Sequence, residues 1–182
     1  MQTMKLKQGI GILKQGILTR QYRFKKVFAL SLLSAIADEQ KPIQFVFVDV
    51  ENYQSPLPPS FVDGRTTFTF ASAAQEGLEK KMLRIAPLPF ANESFVHLHR
   101  VPTGPDAADV DLIMLCSQLR LIAGGRQNDR WIVMSNDNLF QSLETGMKDA
   151  GAEVHLVRSS GPQARAKQKF SAEQKQKAKQ KQ

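Results

Sequence analysis

The strongest constraint on this chain is a series of short apolar segments, separated for the most part by stretches of helical character. "IQFVFVD" (43–49), "TTFTFA" (66–71), "SFVHLH" (94–99), "RWIVMS" (130–135) and "EVHLV" (153–157) are β-branched or aromatic in character and read as strands. Helices are predicted over 73–85, 107–123 and 138–150. In the longest, Val110, Leu112, Ile113, Leu115, Cys116, Leu119 and Leu121 make a wide apolar face, and Gly124-Gly125 stops it. Near-continuous apolar strands that alternate with helices imply a mostly parallel sheet buried on both faces. The expected fold is therefore α/β: a three-layer α/β/α sandwich over residues 43–158, with an N-terminal helical extension.

A chain of 182 residues suits one ordinary domain with extensions. Its single cysteine, Cys116, excludes an internal disulfide framework and a cysteine-rich zinc site. The formal charge of +8 is unevenly placed. Residues 1–42 hold eight Lys/Arg against two acids, and 161–182 hold seven against one, whereas 43–160 hold ten against fourteen. An acidic body lies between two basic arms, which makes a polyanion, above all nucleic acid, the leading partner. A second copy of the chain stands as another possible partner.

Residues 1–42 read as a basic arm and helix. The arm repeats KQGIGIL as KQGIL, with glycines that argue against a rigid helix. Over 22–39, Phe24, Val27, Phe28, Leu32 and Ile36 recur at spacings near three and four, which predicts an amphipathic helix. The same stretch has a basic leader, an apolar run and the small-x-small form Ala35-Ile36-Ala37, so export after cleavage near Ala37 is the alternative to a cytoplasmic location. The apolar run is too short to span a membrane. Residues 159–182 are mostly Gln, Lys and Ala, a composition that predicts a basic, largely disordered tail.

In open parallel sheets the functional crevice lies outside the carboxyl ends of the strands. Asp49 and Glu51 follow the first strand, Asp137 follows the fourth, and Asp106, Asp109 and Asp111 open the helix after the third. Asp106 and Asp109 share a helical face at i, i+3, and Asp111 points elsewhere. Either Asp106 or Asp137 alone is also a natural helix cap. Several carboxylates forced together repel unless a cation compensates, and hard oxygen ligands select Mg²⁺ or Mn²⁺. Such a site suits attack of an activated water on a phosphodiester.

Other chemistry is weaker in the sequence. His97 and His99 project to one face of a strand, and with Asp106 they offer an incomplete transition-metal set, so a polar strand face is the simpler reading. His155 reads as structural and Trp131 as a core or rim aromatic. Gly124-Gly125-Arg126 lacks the P-loop spacing, no Gly-x-Gly-x-x-Gly follows a predicted strand, and Ser135 has no His partner for a hydrolase triad.

Taken in order, "FVFVDVENYQ", "TFTFASAAQ", "GPDAADVDLIMLCSQL", "WIVMSNDNLF" and "GAEVHLV" resemble the PIN-like/NYN nuclease superfamily over about residues 43–157. Asp49 with Asn52, the turn Ala73-Ala74-Gln75, the helix start Gly104, Ala107 and Asp109, and Ser135 with Asp137 match that pattern. The resemblance implies a metal-dependent endoribonuclease, with RNA favoured over DNA. Asp49, Asp109 and Asp137 would hold Mg²⁺ or Mn²⁺, with Asp106 as a further ligand and Glu51 assisting. Asn52 would orient Asp49 or touch substrate, and Gln75, Ser135 and Asn138 would contact substrate. Pro105 stands where relatives often carry Lys, and Leu139 where they often carry a second Asp, so a catalytically reduced nucleic-acid-binding or protein-interaction adaptor is the alternative.

Overall fold

All five predicted strands pair, and every pairing is parallel: β1 (Ile43–Asp49), β2 (Thr66–Ala73), β3 (Ser94–Arg100), β4 (Arg130–Met134) and β5 (Glu153–Val157) lie in the order β3-β2-β1-β4-β5. This is a computed structural model that describes residues 26–56, 64–85 and 94–159. The helices are α1 (Lys26–Ala37), α2 (Leu78–Ile85), α3 (Ala107–Ala123) and α4 (Leu139–Asp149). Because parallel strands are joined by right-handed crossovers, reversing direction along the sheet moves the connecting helix to the other face. Thus α2, between β2 and β3, covers one face, while α3 and α4 cover the other with α1. The fold is the three-layer α/β sandwich expected, with a central sheet that is parallel throughout.

Burial on both faces explains the apolar strand sequences. Every residue of β1 and β2 is buried. On the α1/α3/α4 face an aromatic layer carries the packing: Phe45 stacks on Trp131 with centroids 4.2 Å apart, and Phe47 on Phe70 at 5.4 Å. Phe28 of α1 meets Phe68 and Phe70 edge-on at 5.6 and 5.5 Å. Such pairs contribute about 0.5–1.5 kcal/mol each beyond the area they bury. The opposite face is aliphatic, with Val46, Val48, Ile132 and Met134 against Leu78, Met82 and Ile85 of α2.

Most boundaries follow the sequence reading, and one does not. The helix expected over 73–85 begins only at Leu78, because β2 continues through Ala73, which pairs with Arg100. Ala, Gln and Glu favour helix, but the ladder holds the chain extended, and Gly77 at φ 78 supplies the turn that α2 needs. Gly124 ends α3 at φ 66, as its position after the apolar face predicts. Phe28, Leu32 and Ile36, which cleavage near Ala37 would remove, are buried in the core. The duplicated arm at 1–21, Tyr22 to Lys25 of the predicted helix and residues 160–182 lie outside the described residues. Among the described residues no helix is long and apolar enough to cross a membrane.

The extension is fastened to the sheet by a polar knot at its amino-terminal edge. Asp129, buried before β4, accepts a hydrogen bond from the Ile43 amide at 2.9 Å and lies 3.4 Å from Nε of Arg126. The Arg126 guanidinium also donates to the carbonyls of Ala35 and Ile36 at 3.0 and 3.2 Å, which α1 leaves without intrahelical partners, and to that of Lys41. One side chain thus closes the helix and orients the strand that follows. Replacing Arg126 by Ala takes from the buried Asp129 carboxylate the largest of three positive charges acting on it, leaving Arg65 and Arg120, and frees the end of α1, so the Arg126→Ala protein should lose up to about 3 kcal/mol of stability, read as a lower urea midpoint by circular dichroism.

Candidate metal and nuclease site

Strand order reverses between β1 and β4: from β1 the chain proceeds to β2 and β3 on one side, then crosses to β4 and β5 on the other. The crevice of an open α/β sheet lies outside the carboxyl ends of the strands at such a switch point. Asp49 is the last residue of β1, and Ser135 directly follows β4. Side chains alternate along a strand, so Asp49, two residues after Phe47, faces the same layer as the aromatic core. Ser72, two after Phe70, and His99, two after His97, extend that row across β2 and β3 in register. Ser135, Asp49, Ser72 and His99 form a polar border on the core, buried beneath the start of α3.

Asp49 is fully buried and held on all sides. Its Oδ2 accepts the Ser135 hydroxyl at 2.6 Å, and its Oδ1 accepts the amides of Glu51 and Asn52, each at 3.2 Å. Ser135 Oγ also accepts the Asp137 amide at 3.0 Å, so one hydroxyl joins the β1 acid to the loop that carries the β4 acid. Asp137 Oδ1 accepts the Leu139 amide at 2.8 Å at the start of α4, and Asn138, the residue before the helix, is exposed with no side-chain cap bond. Asn136 completes the frame: its amide donates to the Asn52 carbonyl and to Ser159, and its Oδ1 accepts the Ser159 amide at 2.8 Å.

α3 brings the second set of acids. Asp109, in its first turn, is buried with Oδ1 lacking a hydrogen-bond partner. Burial pushes its carboxyl up to about 7, and the charges of Asp49, Asp137 and Asp106, with a hydrogen bond to Asp49, push the same way. The helix dipole opposes this, but at about 0.3–1 kcal/mol it offsets less than one pKa unit of about 1.4 kcal/mol. Near neutral pH the Asp109 carboxyl therefore holds a proton for part of the time. Asp106 precedes the helix at φ 51 and is exposed; it is the one non-glycine residue at positive φ among those described. It makes no side-chain cap, so the capping role open to it in the sequence falls away, and its charge is left to act on Asp109.

Where each expected residue falls can be stated directly. Asp49, Asp109, Asp137 and Asp106 are electrostatically joined, as their order on the strands and helix implies. Asn52 and Ser135 serve the backbone and carboxylate of the Asp49 turn. Glu51 is spent on the Ala74 amide at 2.6 Å, tying the β1 and β2 turns together. Gln75 is exposed and accepts from Lys81 Nζ at 2.7 Å. Asp111 has a partner that the sequence did not indicate. Its Oδ2 lies 3.2 Å from Nδ1 of His99, so His99 faces Asp111 rather than Asp106, and the histidines form a buried pair instead of a polar strand face. Ser72 and Asn136 escaped sequence reasoning; the period-two position of Ser72 beside Asp49 was the available signal.

The donor chemistry suits a hard divalent cation: all-oxygen ligands, like charges that act on the buried Asp109, and a carboxylate oxygen of that residue left without a partner. Among the described residues, however, no three His, Cys, Asp or Glu side chains stand as a finished ligand cage. Fold and site together define an open, doubly wound α/β domain with an acidic centre at its switch point. No protein-family model, no curated protein and no solved structure matches the chain.

The raised carboxyl fixes the sign of a pH effect. Between about 4 and 7 the folded protein keeps a proton on Asp109 that the unfolded chain releases, so this contribution to stability falls as pH rises through that window. Without divalent metal, the melting temperature should decline from pH 5 to pH 8. Asp109→Asn should flatten that decline and be the more stable protein at pH 8, measured by thermal denaturation in matched buffers.

Proposed function

We propose that this chain is a divalent-metal-dependent nuclease that hydrolyses phosphodiester bonds, with RNA favoured over DNA as the resemblance to PIN-like/NYN proteins implies. The observation that carries the reading is the buried Asp109 carboxylate at the switch point, one oxygen without a hydrogen-bond partner, near the acids that end β1 and follow β4. A compact group of acids in a mostly closed setting destabilises the fold at neutral pH unless a proton or cation offsets it. Asp49, Asp109 and Asp137 would hold Mg²⁺ or Mn²⁺ with Asp106 beside them, and the ion would supply charge neutralisation and water activation at neutral pH.

The chain's own residues do the positioning. The Ser135 hydroxyl and the amides of Glu51 and Asn52 fix the Asp49 carboxylate, while the Asn136 clamp fixes the turn beneath it. Asp109, carried by α3, closes over the end of β1. The acidic body repels a polyanion in the absence of metal, and the basic segments 1–42 and 161–182 concentrate one nearby.

Labelled single- and double-stranded RNA and DNA, incubated with Mn²⁺ or Mg²⁺ and then with a chelator, provide the test. Wild type should cleave RNA only with metal, and Asp49→Asn and Asp109→Asn should each reduce the rate by more than about a hundredfold. Ser135→Ala, which removes a partner of a ligand rather than a ligand, should cost about 10–100-fold. Equal cleavage by wild type and Asp49→Asn would identify a contaminant and remove the nuclease reading. RNA binding with no metal-dependent cleavage would instead make the chain a binding-only adaptor.

A further inference from the structure

Immediately beyond Asp49 the chain enters a recess of opposite charge. Val50, Tyr53 and Gln54 from the loop after β1 face Lys81, Arg84 and Ile85 of α2 around about 450 Å³ of empty space, its open mouth included. Val50, Tyr53 and Ile85 are buried and give an apolar floor, and the Tyr53 hydroxyl is turned to the Pro56 carbonyl at 3.3 Å. Among the described residues two cations and no acid line it. The head of Lys81 reaches the rim and donates to Gln75, a neutral partner, and the exposed Arg84 forms no ion pair among the described residues. Such an arrangement fits an anion with an apolar body.

We infer that this recess binds one nucleotide of a single nucleic-acid strand, next to the one whose phosphate lies at the acidic centre; the inference rests on the nuclease reading. Lys81 and Arg84 take its phosphate and the apolar floor takes its sugar or base. The two sites have complementary tasks. Acids that are to receive a cation cannot attract a polyanion unaided, and the strand needs fixed positive charge within a nucleotide's reach of them. Val50 follows Asp49 directly, with Cα atoms about 3.8 Å apart, so the β1 turn links the two. Strand alternation places Asp49 on the α3 side and Val50 on the α2 side, and a strand lying across the carboxyl rim meets both.

A fluorescein-labelled uridine RNA of about ten nucleotides tests this by anisotropy on the full chain without divalent metal, in the Asp109→Asn background to prevent cleavage. Lys81→Gln with Arg84→Gln should weaken binding about tenfold and flatten the dependence of log K on log salt by about 0.7, the amount expected for one phosphate of a single strand. Lys81→Arg with Arg84→Lys keeps both charges and should restore binding. In the cleavage-competent background the Gln pair should raise KM about tenfold and leave kcat within about twofold. Unchanged affinity, salt slope and KM would overturn the recess while metal-dependent cleavage stood. Pair-dependent binding in a protein that never cleaves would keep the recess as a binding site and remove the nuclease reading.

Discussion

The architecture of the site rests on burying one carboxylate. Asp49 ends the central strand with no exposed surface, and a charged group there requires hydrogen bonds strong enough to replace water. They come from the Ser135 hydroxyl beyond β4 and from two amides of its own turn. That requirement fixes the register at the carboxyl ends of β1 and β4, shapes the 50–54 turn, and places the loop of Asp137. The remaining acids are positioned relative to a group that cannot move.

α3 then determines how the polar border is used. Asp109 and Asp111 lie on different sides of the helix, yet both are buried: one reaches Asp49 over β1 and the other His99 over β3, with Ser72 of β2 between them. His97, deeper in the same row, is kept neutral, its imidazole pushed down to about 4 by burial and by His99 against the opposing pull of Asp111. The polar residues of the sheet therefore separate into a carboxylate centre at the switch point and a histidine–aspartate pair toward the β3 edge. At the other end of the strands, Arg126 and Asp129 meet the cost of burying a carboxylate with an opposite charge.

Much of this arrangement was legible in the chain. Strand and helix types followed from apolar runs and turn residues, and the rule that crevices form at strand carboxyl ends collected Asp49, Glu51, Asp106, Asp109, Asp111 and Asp137 from fourteen acids in 43–160. The boundary at 73–77 was not legible, because Ala73 to Glu76 carry helical propensity while pairing between Ala73 and Arg100 extends the strand. Nor was the contact of Asp111 with His99, since helical spacing alone does not say what packs against each side of α3. Gln75 stands apart at the rim for a similar reason: its partner, Lys81, belongs to the face that α2 covers.

By itself the sequence determined the class of fold and the identity of the acids, because hydrophobic periodicity and the chemistry of residue types are local properties. Only the tertiary structure decided which acids meet. Strand order brings Ser135 against Asp49 across 86 residues of chain, and the crossing of α3 over β1 and β2 sets Asp109 beside it. It also decided that Lys81 and Arg84 gather around the turn after Asp49, opposite in charge to the centre next door. Charges far apart in sequence interact through space, and space is assigned by packing the sheet.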